Sequence, residues 1–186
     1  MSVTYVGLDL ETTGLDPKEN DILEVGVVLF DEDLQPIAHE NWLVETPRAK
    51  RDRETGGVDG FVLDMHTMND LFGDIIDKKK HVFREYEAAE HSVLTWLDDH
   101  NVPAKPYMVG NSVTFDRGFL AEHMPQLLNR FHYRSVDATS VMQAAEIGGV
   151  NVAAIKTTDT AHRAVDDILA AGRDIRACIT ALKTNF

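Results

Sequence analysis

The chain contains almost no cysteine. Cys178 is the single one among 186 residues, and it lies within an apolar stretch near the C-terminus. One cysteine excludes a disulfide within the chain, a metal site built from several thiolates and a CxxC redox motif. A lone cysteine in such a stretch is typical of a small buried side chain rather than a nucleophile.

Long hydrophobic runs are also missing. No apolar segment approaches the ~20 residues that a membrane-spanning helix requires. The first residues, MSVTYVGLDLETTG, show neither the basic start nor the apolar run of a secretory signal. We therefore expect no membrane partner and a cytoplasmic location.

Basic residues are scarce. The chain has 18 lysines and arginines against 31 acidic residues, for a formal net charge of −13. Proteins that follow long duplexes through phosphate contacts usually carry a basic patch, so this balance argues against a large phosphate-tracking surface. A small substrate held through divalent cations stays compatible, because bound cations reverse the local field. Solubility alone would explain the surplus acid equally well.

Hydrophobic residues make up 44% of the chain and charged residues 26%, which is ordinary for a folded protein. Strands at the start, followed by helices and strands in alternation, predict an α/β domain with a mixed central β-sheet flanked by helices. We find no internal repeat or boundary, and predict one domain over residues 1–186. The predicted strands are Thr4–Leu10, Ile22–Asp31, Pro36–Val44, Tyr107–Val109 and Tyr133–Asp137. The predicted helices are Asp64–Ile76, Phe83–His100, Phe115–Met124, Ala138–Ile147 and Arg163–Leu182, with loops at Glu45–Gly60 and Gly148–Asp159.

Two carboxylates close the first predicted strand, in the segment LDLETTGLD. Alternate side chains of a strand point the same way, so Asp9 and Glu11 share one face while Leu8 and Leu10 share the other. Adjacent carboxylates repel unless a cation lies between them, and Mg²⁺ or Mn²⁺ prefers such oxygen ligands. An exposed, solvated pair at a strand end is the alternative.

Further acids and one histidine occur at predicted helix starts. Asp116 begins one helix and Asp166 and Asp167 begin the last, where acids also favour the positive helix end without any metal. His162 stands at a loop-to-helix junction, and its ordinary pKa of ~6.5 suits proton abstraction. A lone histidine is more often a structural hydrogen-bonding group.

In this order, Asp9-x-Glu11, Asp116, and His162 with Asp167 five residues on, the residues resemble the DEDDh exonuclease superfamily. Periodicity does not choose between Asp166 and Asp167; the family spacing chooses Asp167. The segments LDLETTGLDP, GNSVTFDRGFL, MPQLLNRFHYRSVDATS and AHRAVDDI are similar to the oligoribonuclease branch over nearly the whole chain.

The resemblance implies a ribonuclease H-like exonuclease fold and 3′→5′ removal of nucleotides from short oligonucleotides. Asp9, Glu11, Asp116 and Asp167 would hold two divalent ions, Mg²⁺ or Mn²⁺, with His162 as general base. It also implies a homodimer acting on short single-stranded RNA. The implied substrate-binding residues are Leu15 as a wedge between bases, Phe61 and His66 at the base pocket, Ser112, Arg134 and Thr139 at a 5′ phosphate, and Tyr133 from a second subunit.

Other interpretations stay open at this point. Leu15, Phe61 and Tyr133 could be ordinary packing residues, and Arg134 a surface ion-pair partner. A DNA-directed 3′→5′ exonuclease of the proofreading or repair kind would share all five metal-site residues. A non-catalytic nucleic-acid-binding module of the same fold is a further alternative, although a pure binder has no need for clustered repelling acids.

Overall fold

The computed structural model describes residues 2–77, 81–156 and 162–185. They form a six-stranded mixed sheet in the order β4-β3-β2-β1-β5-β6. Its antiparallel half is the predicted meander, in which β1 pairs with β2 and β2 with β3, and the other neighbours are parallel. The strands are β1 Tyr5–Thr12, β2 Ile22–Phe30, β3 Pro36–Val44, β4 Val82–Phe83, β5 Tyr107–Gly110 and β6 Ser135–Asp137.

Helices cover both faces of this sheet. They are α1 Pro47–Thr55, α2 Gly60–Met68, α3 Leu71–Asp77, α4 Tyr86–Asp99, α5 Thr114–His123, α6 Pro125–Arg130, α7 Ala138–Ile147 and α8 Ala164–Asn185. The predicted mixed sheet with flanking helices is therefore confirmed. Within the described residues, no helix has the length and apolar character to cross a membrane.

The alternation of β1 separates two hydrophobic cores. Val6, Leu8 and Leu10 face the core shared with α4, α5 and α6. Asp9 and Glu11 accordingly project from the opposite face, where Ile168 and Ile175 of α8 pack against the sheet. A strand buried on both faces leaves room for polar groups only where they serve one another or a ligand.

Several local predictions were wrong. Residues 45–60 were expected to form a loop, yet Pro47–Thr55 is a helix. Its polar sequence buries only Ala49, so no apolar stripe announced it; Thr46 caps its start and Gly56, with a φ of 79°, ends it. The predicted Asp64–Ile76 helix is two helices, α2 and α3, separated near Asp70, whose φ is 61°.

Other boundaries shifted by a few residues. The helix predicted from Phe83 starts at Tyr86, because residues 82 and 83 pair with β3 as a short strand. A separate helix, α6, begins at Pro125. The predicted loop over Gly148–Asp159 contains a 3₁₀ turn at Val152–Ala154, and its last three residues lie outside the described residues.

Candidate functional site

The site is centred on three carboxylates from two elements. Asp9 and Glu11 come from β1, and Asp167 from the first turn of α8. One oxygen of each lies within 4.8 Å of the others, a spacing at which one cation can contact all three. The predicted ligands Asp9, Glu11 and Asp167 therefore do come together. Asp166 is exposed and lines a separate cavity with Glu40 and Asn41.

A glycine on the neighbouring strand permits this convergence. Gly26 of β2 is the cross-strand partner of Asp9. A Cβ atom at position 26 would lie 2.6 Å from the Cβ of Ala164 and 2.8 Å from its carbonyl carbon, far inside contact distance. The first turn of α8 consequently rests directly on the β2 backbone, which brings Asp167 to Asp9.

Asp116 lies beside the same cluster. It occupies the first turn of α5 and is 2% exposed, and its Oδ1 accepts a hydrogen bond of 3.1 Å from the backbone N–H of Leu10. Its charge acts strongly on Asp9, second only to burial among the causes of that residue's altered pKa. The structure therefore places the other three predicted acids close enough to Asp9 to act on its charge, with Asp116 outside the three whose oxygens converge.

The cluster is electrostatically strained. Burial, and then repulsion from Asp116, Glu11, Asp167 and Glu24, raises the pKa of Asp9 well above its usual range. Burial, followed by repulsion from Asp167 and Glu24, raises the pKa of Glu11 to about 8. Burial raises the pKa of Asp116 to about 7. A hard divalent cation would relieve this repulsion, and an all-oxygen donor set fits Mg²⁺ or Mn²⁺.

These pKa shifts predict an inverted pH dependence of stability. A carboxyl group whose pKa is raised on folding stabilises the fold below its unfolded pKa, and that stabilisation is lost as pH rises through the folded value. For Glu11 and Asp116 the window runs from about 4 to about 8. The metal-free protein should lose a few kcal/mol of unfolding free energy across it, at about 1.4 kcal/mol per pKa unit. Thermal melts in chelator between pH 5 and 8.5 would measure this loss.

Saturating Mn²⁺ should flatten or reverse that slope, since the cation holds the carboxylates in their charged form. Asp33→Asn removes an exposed acid in the turn between β2 and β3, at the end of β2 away from Glu24. It should leave the slope unchanged. A melting temperature that rises with pH in chelator would contradict the assignment of raised pKa values to these acids.

His162 lies next to the start of α8 and is exposed. Its backbone has a φ of 48°, in the left-handed region, and its carbonyl accepts a hydrogen bond from the side-chain amide of Asn69. Its ring nitrogens are not among the ligand atoms that converge within 4.8 Å. The ring acts electrostatically on His66, which contacts Glu11, so His162 stands at the edge of the cluster. This position suits a proton acceptor better than a ligand.

A cavity of about 1010 Å³ opens beside Glu11. Two large apolar side chains in its lining are open to solvent: Leu15 is 83% exposed and Phe61 75% exposed. Phe115, the residue before Asp116, contributes a second aromatic ring. Exposed apolar side chains around a concave opening are typical of a surface that holds an aromatic ligand.

Asp21, at the end of the loop that carries Leu15, ties this loop to α1 and α4. This buried carboxylate accepts hydrogen bonds from Arg48 Nε at 2.6 Å, Tyr86 Oη at 2.6 Å and Thr46 Oγ1 at 3.0 Å. Arg48 also donates through Nη2 to the carbonyl of Asn20. The charged segment after β3 thus forms helix α1, and its Arg48 holds Asn20, one of the residues that line the cavity.

His66 is placed differently from the prediction. It was expected to line a base pocket, but its side chain is 0% exposed and packs edge-on against Phe72 at 5.5 Å between ring centres. Its Nε2 lies 2.9 Å from the carbonyl oxygen of Thr12, and its Nδ1 lies 3.9 Å from Glu11 Oε2. His66 therefore lies behind Glu11 and is not among the residues that line the cavity.

The residues predicted to hold a 5′ phosphate form two small groups. Ser112 Oγ lies 3.3 Å from Thr139 Oγ1. The guanidinium carbon of Arg134 lies 5.3 Å from the ring centre of Tyr133, which is 74% exposed. These side chains offer hydroxyl and guanidinium donors at the surface.

Two residues near the site were missed at the level of sequence. Glu24 is a 1% exposed acid in the otherwise apolar strand β2. It is the cross-strand partner of Glu11 on β1. Arg163 pairs with it, with Nη2 3.0 Å from Oε1. An acid inside the run ILEVGVVLF was a usable signal, because a buried charge requires a partner.

Comparisons with known proteins place this geometry in a family. The RNase T model, described as an exonuclease family, matches residues 6–173. The oligoribonuclease of Idiomarina loihiensis is 32% identical over 88% of this chain and 85% of its own length, and that of Corynebacterium glutamicum is 33% identical over 91% and 75%.

The fold also matches exonuclease I of Escherichia coli in complex with a dA16 oligonucleotide, with a TM-score of 0.60 at 16% identity. That alignment covers 100% of this chain and 42% of the exonuclease I chain, so the present chain spans about two fifths of that larger protein. The matched sheet confirms the ribonuclease H-like exonuclease fold. The chain belongs to the RNase T family of DEDD 3′→5′ exonucleases.

Proposed function

We propose that the protein is an exoribonuclease of the oligoribonuclease type, which hydrolyses short oligonucleotides, down to dinucleotides, to 5′-mononucleotides. The convergence of Asp9, Glu11 and Asp167 beside an apolar cavity is the observation that carries this proposal. Relatives named oligoribonuclease, at 29–34% identity over about nine tenths of the chain, support the choice of substrate.

In this proposal the four acids hold two divalent ions, Mg²⁺ or Mn²⁺. Asp9, on which the charges of the other three acids all act, would contribute to both ions; Glu11 and Asp167 would complete one site and Asp116 would help to hold the other. Bound ions of this kind neutralise charge on the phosphate and lower the pKa of the attacking water. The chain itself fixes these acids on β1, α5 and α8, and their partial or full burial makes uncompensated negative charge costly.

His162 takes the proton from the attacking water on an imidazole nitrogen. Its exposure keeps the ring accessible to water, and imidazole is the side chain that most often acts as a general base. Leu15 and Phe61 hold the terminal bases by apolar contact and stacking, which tolerate any base.

Recognition of a 5′ phosphate would limit the substrate to a few nucleotides. We assign this role to Ser112, Thr139 and Arg134, whose hydroxyl and guanidinium groups suit a phosphate. Tyr133, exposed beside Arg134, would complete the site of a second subunit in a homodimer. His66 has no direct contact with substrate in this proposal.

Substrate length gives the sharpest test. Purified protein with Mn²⁺ should hydrolyse a 5′-phosphorylated RNA dinucleotide at least about tenfold faster than a single-stranded 12-mer, since about 1.4 kcal/mol of phosphate recognition is worth that factor. The same dinucleotide without its 5′ phosphate should lose most of this advantage. Product separation by chromatography measures both rates, with chelator as the blank.

A variant with Ser112→Ala and Thr139→Ala should reduce the preference for the phosphorylated dinucleotide, while the matched pair Ser92→Ala and Thr95→Ala, on α4, should not. Equal or faster digestion of the 12-mer would contradict the oligoribonuclease assignment and favour a general 3′→5′ exonuclease. A faster rate on the DNA 12-mer than on either RNA would favour the DNA-directed alternative.

A further inference from the structure

The segment that carries His162 is attached to the sheet by a partly buried ion pair. Arg163, the next residue, donates to Glu24 through Nη2 at 3.0 Å and through Nε at 3.2 Å. The backbone N–H of Ala164 donates to the same carboxylate at 3.2 Å. Three hydrogen bonds thus join the start of α8 to one side chain of β2.

A second anchor holds the peptide group that joins His162 to Arg163. Its carbonyl accepts a hydrogen bond from the side-chain amide of Asn69, in the turn between α2 and α3. Arg163 Nη1 lies 3.5 Å from the carbonyl oxygen of Asn69 in the same turn, and 3.0 Å from Asp74 Oδ2 in α3. The peptide groups before and after Arg163 are therefore both tied to residues that are distant in sequence.

The backbone of His162, just before these anchors, adopts an unusual conformation. A φ of 48° is unfavourable for a residue with a side chain, and such strain persists only where the surroundings impose it. The strain occurs at the residue that the proposed function uses as general base, and both anchors lie immediately after it in the chain. Backbone strain of this kind clusters at functional sites.

Stability alone does not account for the pair. Glu24 is 1% exposed, and it adds negative charge beside Asp9 and Glu11, where charge is already unfavourable. A buried ion pair is on average no more stabilising than apolar side chains of similar volume. What a two-pronged arginine–carboxylate contact supplies is fixed geometry.

We propose that Glu24 and Arg163 are positioning residues that set the place of His162 relative to the four acids. The inference rests on the proposed function, in which His162 is the base. Arg163 and Glu24 touch neither substrate nor the reacting atoms in this assignment; they act through the backbone of His162.

Arg163→Lys is the decisive variant. It keeps the positive charge but cannot contact both oxygens of Glu24 through two nitrogens of one planar group. It should lower kcat on the dinucleotide by about 10- to 100-fold, the loss expected from a misplacement of about 1 Å. KM should stay within about twofold, and the melting-temperature shift caused by Mn²⁺ should remain. Glu24→Gln should give a smaller loss in the same direction. Arg84→Lys, which alters a comparable arginine paired with the buried Glu45, should leave kcat unchanged.

A double-mutant cycle separates positioning from general destabilisation. In a His162→Ala background, Arg163→Lys should cause no further loss of kcat, since the residue through which it acts is gone. Equal losses in both backgrounds would overturn the inference while leaving His162 as the base. Near wild-type kcat for His162→Ala would instead overturn the mechanism of the proposed function, and the positioning role with it.

Hydrogen exchange tests the same inference without any activity. The amide of Ala164 should exchange faster in Arg163→Lys than in the wild type, and Asn69→Ala, on the turn, should have a similar effect without altering the buried pair. Unchanged exchange across residues 162–166 in both variants would overturn the proposal even if the enzyme were inactive on every substrate tried.

Discussion

Asp9→Asn should lower the metal-dependent rate by at least about 10³-fold, because a metal site that loses its central ligand forfeits several kcal/mol of transition-state stabilisation. Asp9 is the acid that Asp116, Glu11 and Asp167 all surround, so no neighbour can take its place. The measurement is initial rate on a dinucleotide over a titration of Mn²⁺.

Folding provides the control for this loss. Asparagine has nearly the same shape and removes one repelling charge, so the metal-free variant should melt at or above the wild-type temperature at pH 8.5, and the stabilisation by Mn²⁺ should shrink. Asp166→Asn, one residue from Asp167 but outside the cluster, should keep wild-type rates and metal response. Substantial activity in Asp9→Asn would remove the metal site from the mechanism.

His162→Ala should slow turnover by about 10²- to 10⁴-fold, the usual contribution of a positioned general base. Because the ring is exposed and is not one of the converging ligands, the variant should fold normally and keep the Mn²⁺-induced melting shift. The acidic limb of the pH–rate profile, which reports the base, should flatten, and added imidazole should restore part of the rate.

His91→Ala, on the exposed face of α4, is the matched histidine control and should behave as the wild type. Turnover within about twofold of wild type in His162→Ala would exclude this residue as the base. A loss of rate that is fully reversed by raising the Mn²⁺ concentration would assign it to metal binding instead.

The shared face of Asp9 and Glu11 was predictable because it depends on a short-range rule. The two-residue period of a strand put Asp9 and Glu11 on one face, and the structure confirms it by placing Leu8 and Leu10 in the opposite core. The choice of Asp167 over Asp166 needed the resemblance. In space that choice depends on how α8 lies on β2, which no periodicity within the helix encodes.

Residues fixed by long-range contacts were harder to predict. Helix α1 has almost no apolar face, and its arginines pair with Asp21, just before β2, and Glu45, just after β3. His66 was assigned to the cavity by its place in the sequence, whereas the break after α2 lets Phe72 of α3 pack against its ring. Neither contact can be read from local sequence.

The close approach of α8 to Gly26 determines which parts of this site could be moved to another protein. A protein designer who grafted the four carboxylates onto another sheet would copy the ligands but not their spacing, because a residue without a side chain sets that spacing. A single methyl group at this position would lift the start of α8 and carry Asp167 and the His162 segment with it. The smallest portable unit is therefore the glycine, the helix start that rests on it and the acids on either side.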